Sequence, residues 1–507
     1  MTTFTDTPVG LEDIVISELI ASRIHFLRET PPSLYIAENE RSNTHIQALV
    51  RQVTDLAPET AISFIPLDEV HALNKGLRTP LHQDLTLPQR KVVELFRQAV
   101  KRGSSDIHLC IGEDGVTLVK FRIHGELQKV DSISKEEGEK LASTIILSMC
   151  DVTETQFVSS RPQDGRIKSE FVQELGLYGA RYAHSPTVYG IFAVMRLIKD
   201  DSASPPTLSD LGFLAAQQQT LRNILNIPEG VIILSGPTGS GKSSTLRTLA
   251  TMYLEQHQYQ RNLVTYEDPP EGHITGAVQC AIVADKNNPD EVQYIWRRFR
   301  ANTLRIDPDA ILVGEIRDPD SADSSINNAM TGHLVLSTTH ANDAINILER
   351  LQALDVRPAL LSDHQLFIGL ISQRLVQVLC PHCKISWNKM EQKLEPQLRE
   401  LLSQTCDTHS IRFRNHTGCA HCESGIAGRR VVAEIIHTDA GFMQRYRLEG
   451  KRAARRYWMQ HLNGITRNKH VVTLINQGLV DPHAAELICP LDEDRRLLSE
   501  EETDNET

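Results

Sequence analysis

The chain has 507 residues, 40% hydrophobic and 23% charged, with a formal net charge of −12. That length suggests about three domains, and no apolar run approaches the roughly 20 residues needed to span a bilayer. Met1-Thr2-Thr3-Phe4-Thr5-Asp6 lacks the basic-then-apolar pattern of a secretory signal, so a cytosolic protein is expected. The acidic balance argues against a motor that grips nucleic acid, whose affinity comes from neutralised phosphates.

Residues 1–80 read as a small mixed, partner-binding domain. Leu11–Ile20 has helical apolar spacing, Pro31-Pro32 breaks it, and Ser33-Leu34-Tyr35-Ile36-Ala37 reads as a strand. Residues 85–199 read as an α+β domain. It opens with an amphipathic helix over 90–101, followed by alternating strands at 106–110 and 116–123 with Gly112 and Gly115 between them. Further strands are expected at 177–183 and 190–198. The polar, proline-bearing stretch 200–207 reads as a hinge. From 209 to 379 strands alternate with helices, which implies an α/β core with a mainly parallel sheet. Residues 380–425 hold two cysteine pairs, 426–490 read as a helical portion, and 491–507 read as an acidic, disordered tail.

Gly236-Pro237-Thr238-Gly239-Ser240-Gly241-Lys242-Ser243 is a complete G-x-x-x-x-G-K-[ST] phosphate loop. An apolar run, Val231–Leu234, precedes it, and Ser243-Ser244-Thr245-Leu246 opens a helical stretch. Strand, glycine loop and helix aim backbone N–H groups at one point, which suits a phosphate chain. Lys242 is placed for the β/γ-phosphates and the Ser243 hydroxyl for Mg²⁺. A nucleoside triphosphate is therefore the expected ligand.

Three later segments end apolar strands in polar groups. Leu263–Glu267 is followed by Asp268-Pro269-Pro270; Ala310–Val313 by Gly314-Glu315; Leu334–Thr339 by His340. Ligands of open parallel sheets sit at the C-terminal strand ends. Glu267 suits Mg²⁺-bound water or orientation of the attacking water, Glu315 polarisation of the attacking water, and His340 donation to the γ-phosphate. Taken singly, each has a plain alternative: a turn cap for Asp268, a surface acid after a core strand for Glu315, a structural role for His340.

Cys380-Pro381-His382-Cys383 and Cys419-Ala420-His421-Cys422 are two C-x₂-C turns. Four thiolates from two such turns can close a tetrahedral, structural zinc site with no open position. Redox-active or unrelated thiols are the alternatives.

Read in order, GPTGSGKSS, TYEDPPE, RIDPDAILVGEIRD and TGHLVLSTTHANDA resemble the Walker A loop, aspartate box, Walker B segment and histidine box of the secretion ATPases of type IV pilus assembly and type II secretion. The resemblance extends upstream to Ser105–His108, Phe121–Gly125, Pro162–Ile167 and Pro186–Val188, and covers roughly residues 85–435. It implies a RecA-like P-loop ATPase core preceded by a PAS-like α+β domain, with a small zinc-binding insert and a helical C-terminal portion. It also implies a homohexamer with nucleotide held between the two motor domains, and makes Arg122, Arg166 and Arg305 candidates to reach the phosphates. The tetracysteine module strengthens the zinc reading and favours assembly-type over retraction-type members. Three positions depart from the family: Arg300, the first arginine before the Walker B segment, sits one position earlier than expected, His124 stands where aspartate is frequent, and Gly272 where an aromatic is usual.

The expected activity is thus hydrolysis of ATP with Mg²⁺, powering assembly of a type IV pilus, conjugative thin pilus or type II secretion pseudopilus. The expected location is cytoplasmic, peripheral at the inner membrane through a platform protein. The alternatives are a retraction-type or conjugation-type ATPase, a nucleic-acid translocase, and a non-catalytic nucleotide-binding scaffold.

Overall fold

The computed structural model describes residues 23–27, 32–41, 43–67, 69–70, 73, 85–152, 156–202, 204–282, 289–303 and 305–504. The helix expected over Leu11–Ile20 lies outside the described residues. The chain forms two compact units, Met1–Arg90 and Lys91–Thr507. Among the described residues, no helix is long and apolar enough to cross a membrane.

In the first unit, β1 (Ile24–Leu27) pairs antiparallel with β2 (Ser33–Ala37), and β2 pairs parallel with β3 (Ala61–Ile65). A parallel pair needs a crossover, supplied by the helix Thr44–Leu56. Ile46, Leu49 and Val53 on that helix are buried with Leu34 and Ile36 of β2.

The second unit carries two seven-stranded sheets. In the first, β4 (Ser104–Glu113), β5 (Val116–Ile123), β6 (Glu126–Ser134), β7 (Cys150–Val152), β8 (Gln163–Ile167), β9 (Leu177–Pro186) and β10 (Ile191–Lys199) run in the order β6-β5-β4-β10-β9-β8-β7. Every neighbouring pair is antiparallel. Thr117, Val119, Phe121 and Ile123 are buried while Leu118, Lys120 and Arg122 are half-exposed. That period of two is what a sheet covered on one face requires.

The second sheet comprises β11 (Gly230–Ser235), β12 (Leu263–Glu267), β13 (Val278–Ala281), β14 (Ala310–Val313), β15 (Leu334–Thr339) and β16 (Gly369–Leu379), closed by a long C-terminal strand. Between β16 and that last strand, β17 (Ile385–Ser386) and β18 (Arg412–Phe413) make a small separate ribbon. The last strand is β19 (Ile426–His437), and the order is β13-β12-β14-β15-β11-β16-β19. All pairs are parallel except β16 with β19. All six residues of β11 are buried, as expected of a parallel strand with both faces covered. The helix Lys242–Gln256 covers part of one face through Leu246, Leu249, Ala250 and Tyr253.

The registers fix the site. Ser235 faces Thr339, Tyr266 faces Val313, and Val313 faces Ser337. The C-terminal ends of β11, β12, β14 and β15 therefore share one edge.

Two expectations for the C-terminal region are corrected. The stretch read as helical begins with the twelve-residue strand β19; helices Ala440–Glu449, Lys451–His461, Arg467–Asn476 and Pro482–Ile488 follow it. The run Val431–Ile436 is buried throughout, and such a run has no periodicity to separate strand from helix. The stretch read as a disordered tail contains the helix Glu493–Asp504. Leu491 is buried, Thr466 donates its hydroxyl to Asp494, and Glu493 lies 3.8 Å from Arg455. Its first two acids thus meet Arg455 of the helix Lys451–His461 and Thr466, the N-cap of the helix Arg467–Asn476. Deleting residues 491–507 is expected to lower the thermal unfolding midpoint by a few degrees; an unchanged midpoint in scanning calorimetry would restore the solvated-tail reading.

Candidate active site at the C-terminal sheet edge

β11 ends at Ser235 and the loop Gly236–Gly241 leads into the helix starting at Lys242. Gly236 has φ 148° and Gly241 φ 84°. At Gly236 a Cβ would overlap the carbonyl oxygen of Gln373, so only glycine lets the loop pass this close to β16. From behind, Gln373 Nε2 donates to Ser240 O at 2.8 Å, and both side chains are buried. Thr238 and Gly239 form the exposed crest of the loop. Ser243 is exposed and Ser244 half-buried in the first helical turn. Lys242 folds back and donates to Gly236 O at 2.7 Å and Pro237 O at 3.2 Å. Burial lowers its pKa, and Glu315 and Glu271 partly oppose that.

Glu315 follows β14. Its Oε1 lies 3.0 Å from His340 Nε2, and its Oε2 accepts from Arg317 Nε at 2.9 Å. Three hydroxyls of β15 fix the backbone around it. Ser337 donates to Val313 O at 2.7 Å, Thr338 to Gly314 O at 2.8 Å, and Thr339 to Ile316 O at 3.1 Å. The polar end of β15 thus serves to place Glu315. An open cavity of about 370 Å³ lies between the phosphate loop and the segment after β15, lined by Gly236, Pro237, His340, Asn342 and Arg350 among others.

Glu267, at the end of β12, is nearly buried. It accepts from Thr265 Oγ1 at 2.8 Å and from Gln279 Nε2 at 3.1 Å. Gln279 also donates to Gly272 O at 2.9 Å, so it shapes the turn after the strand. At Gly272 a Cβ would overlap the guanidinium of Arg247. Arg247 fills the space beside this departure from the family pattern, and pairs with Asp201 of the 200–207 connection at 2.9 Å and 3.0 Å.

Of the three arginines singled out from the sequence, Arg122 and Arg166 are engaged elsewhere. Arg122 donates to Gly125 O at 3.0 Å and lies 3.9 Å from Asp106. Arg166 makes a two-pronged pair with Asp151, Nε to Oδ1 at 3.1 Å. Arg305 is exposed. The arginine of the first sheet that reaches the edge of the second is Arg181 on β9. It donates to Pro269 O at 3.3 Å and lies 3.1 Å from Glu271. Sequence spacing did not separate it from its neighbours, because its role depends on how the two sheets pack.

The four cysteine sulfurs lie within 4.8 Å of one another. Cys380–Cys419 is 3.8 Å, Cys383–Cys422 3.6 Å and Cys419–Cys422 3.6 Å. A tetrahedron with metal–sulfur bonds of about 2.3 Å has edges of about 3.8 Å, so the set fits a four-coordinate zinc. The His382 and His421 rings stack beside it with centroids 4.0 Å apart, and four sulfurs already complete the shell.

The cysteine module also meets the first sheet. Arg414 Nη2 donates to Glu126 Oε2 at 2.9 Å, and Gln377 Nε2 to His124 O at 3.0 Å. The Arg414 pair holds the Glu126 carboxyl down at about 2. His124, another departure from the family pattern, sits in the β5–β6 turn at φ 49°. Arg102 adds a second link through Glu423 at 2.9 Å.

The sequence profile described as "Type II/IV secretion system protein" matches residues 82–481. The type IV pilus assembly ATPase PilB of Thermus thermophilus is 34% identical over 409 residues, which is 79% of this chain and 42% of that protein. The type II secretion system ATPase E of Vibrio cholerae is 30% identical over 447 residues, covering 86% of this chain and 83% of that one. The chain therefore spans under half of the first relative and most of the second. Among solved structures, the pilus retraction motor PilT with bound ADP superposes with a TM-score of 0.51 at 20% identity, covering 80% of this chain and 98% of that one. The Legionella pneumophila ATPase DotB superposes with 0.52 at 19% identity, covering 80% and 96%. These two establish the fold. With a profile spanning most of its length and relatives matching across both sheets, the chain belongs to the type II/IV secretion system protein family.

Proposed function

We propose that the chain is a ring-forming ATPase, a homohexamer, whose hydrolysis of ATP powers assembly of a type IV pilus, conjugative thin pilus or type II secretion pseudopilus. The observation that carries this reading is the shared sheet edge, where Lys242, past the loop after β11, and the Glu315–His340 pair, just past β14 and β15, follow neighbouring strands.

The loop N–H groups and the helix N-terminus would take the phosphates, where the helix dipole favours negative charge. Lys242 would exchange two carbonyl partners for phosphate oxygens, and its positive charge gains from leaving a desolvated pocket for an anion. Glu315 would accept the proton of the attacking water, and His340 would hold Glu315 and sense the terminal phosphate. Ser243 and Glu267 would hold Mg²⁺ directly or through water; the ion, when bound, neutralises charge developing on the phosphates. Arg122, Arg166 and Arg305 remain candidates for phosphate contacts in a closed ring, and Arg181 joins them.

The four cysteines would hold a structural Zn²⁺ and support the assembly reading over a retraction-type or conjugation-type motor. The work would be delivered to an inner-membrane platform protein, with the chain cytoplasmic and peripheral at that membrane. A nucleic-acid partner is not expected of a chain with net charge −12.

Phosphate release by the purified chain tests the activity. Glu315→Gln is expected to keep ATP binding and lose turnover by about 100-fold or more, and Lys242→Ala to lose both. Hydrolysis by Glu315→Gln at the wild-type rate would reject the role given to that carboxylate. Metal analysis is expected to find one zinc per chain, and its removal by a chelator at raised temperature to lower the unfolding midpoint. A zinc content well below one would remove the support for an assembly motor.

A further inference from the structure

Glu434 interrupts the apolar run Val431-Val432-Ala433-Glu434-Ile435-Ile436 of β19 and has no solvent exposure. Burying a carboxylate among arginines is costly, and well-packed apolar residues of similar size are often as stable or more so. A charge retained in such a place calls for a reason other than stability.

The contacts of Glu434 supply one. Its Oε1 accepts from Ala344 N at 2.8 Å. Its Oε2 lies 3.2 Å from Arg455 Nη2 and 4.0 Å from Arg467 Nε, which is Coulombic contact without hydrogen-bond alignment. Arg467 reaches on and donates from Nη1 to Asn342 O at 2.9 Å. Between these two grips, Ser235 Oγ approaches Asp343 O at 3.4 Å. Three successive backbone groups, at 342, 343 and 344, are thus held by three buried side chains. Ser235 is the last residue before the phosphate loop, so the same grip ties the two loops together. On the other side of His340, Thr339 is fixed to Ile316 O at 3.1 Å. Only Ala341 separates His340 from the held segment.

We infer that Glu434 and Arg467 are positioning residues for hydrolysis: they clamp the segment after β15 and thereby keep His340 against Glu315. Arg455 supplies the balancing charge, with Glu493 of the C-terminal helix 3.8 Å from it. Burial pushes the Glu434 pKa up, but Arg455, Arg467 and the Ala344 N–H outweigh that and the net shift is downward. The carboxylate therefore stays charged and keeps its hold on both arginines. This inference rests on the reading of Glu315 and His340 as the hydrolytic pair.

A double-mutant cycle in the full chain tests it. ATP hydrolysis is measured for wild type, His340→Ala, Arg467→Met and the double variant, with kcat and KM separated and the unfolding midpoint recorded. Misplacement of about an ångström at a reacting group is costly, so Arg467→Met is expected to lower kcat roughly tenfold, with KM for ATP within about twofold. In the double variant the loss should match that of His340→Ala alone, because coupled residues are not additive. Multiplying losses, an unchanged kcat in Arg467→Met, or a change confined to KM would overturn the inference. So would an unaffected kcat in His340→Ala. If Arg467→Met does not fold, Glu434→Gln runs the same cycle with side-chain size and an acceptor for Ala344 N preserved, and the same outcomes decide. Absence of hydrolysis by wild type would instead reject the functional reading beneath it.

Discussion

The registry of four parallel strands is the constraint from which the site follows. β11, β12, β14 and β15 lie in adjoining or near-adjoining positions, and each ends within a residue or two of the same line across the sheet. Side-chain chemistry at that line is then a matter of which residue follows each strand: Gly236, Asp268, Gly314 and His340. A shift of one strand by one residue would exchange its two buried faces, mismatching the packing on both sides of the sheet, and move Glu315 away from His340 together. Fold stability and site geometry are therefore protected by the same burial.

Holding that line takes more than the strands. The hydroxyls of Ser337, Thr338 and Thr339 grip the backbone on either side of Glu315. Gln373 grips the phosphate loop from β16, and Gln279 grips Glu267 from β13. The three hydroxyls and Gln373 are buried and bond to backbone carbonyls, while the half-buried Gln279 bonds to a nearly buried carboxylate; such acceptors are costly to leave unmet. β16 then runs on directly to Cys380, so the strand that supports the phosphate loop also leads into the first cysteine of the cysteine module. The module in turn meets Glu126 of the first sheet through Arg414, and Gln377 of β16 donates to His124 O in the β5–β6 turn. One continuous path of strand and side chain thus joins the phosphate loop, the cysteine cluster and the neighbouring sheet.

Much of this was legible in the sequence where spacing alone carries meaning. The phosphate loop, the acids after β12 and β14, and the two C-x₂-C turns depend on short-range order, and they stand where spacing placed them. β11 and β14 were legible because an unbroken apolar run of four residues between turns suits a strand covered on both faces. β19 was not, since Val431–Ile436, apolar except for Glu434, shows no alternation and gives the same pattern for a buried helix. The helix Glu493–Asp504 was hidden because its acidic first turn reads as solvated until Arg455 and Thr466 are known to face it. Arg181, Gln373 and Glu434 were illegible for a related reason: each acts on a group far along the chain, and nothing in its immediate neighbours marks it.

The central claim is that Lys242 and Glu315 face one bound triphosphate. A structure of the chain with Mg²⁺ and a non-hydrolysable ATP analogue tests it most directly. The account predicts that Lys242 Nζ leaves the carbonyls of Gly236 and Pro237 for the phosphates, and that Glu315 stands one water from the terminal phosphate. Lys242 still on those carbonyls with the analogue bound elsewhere, or Glu315 directed away from the terminal phosphate, would contradict it.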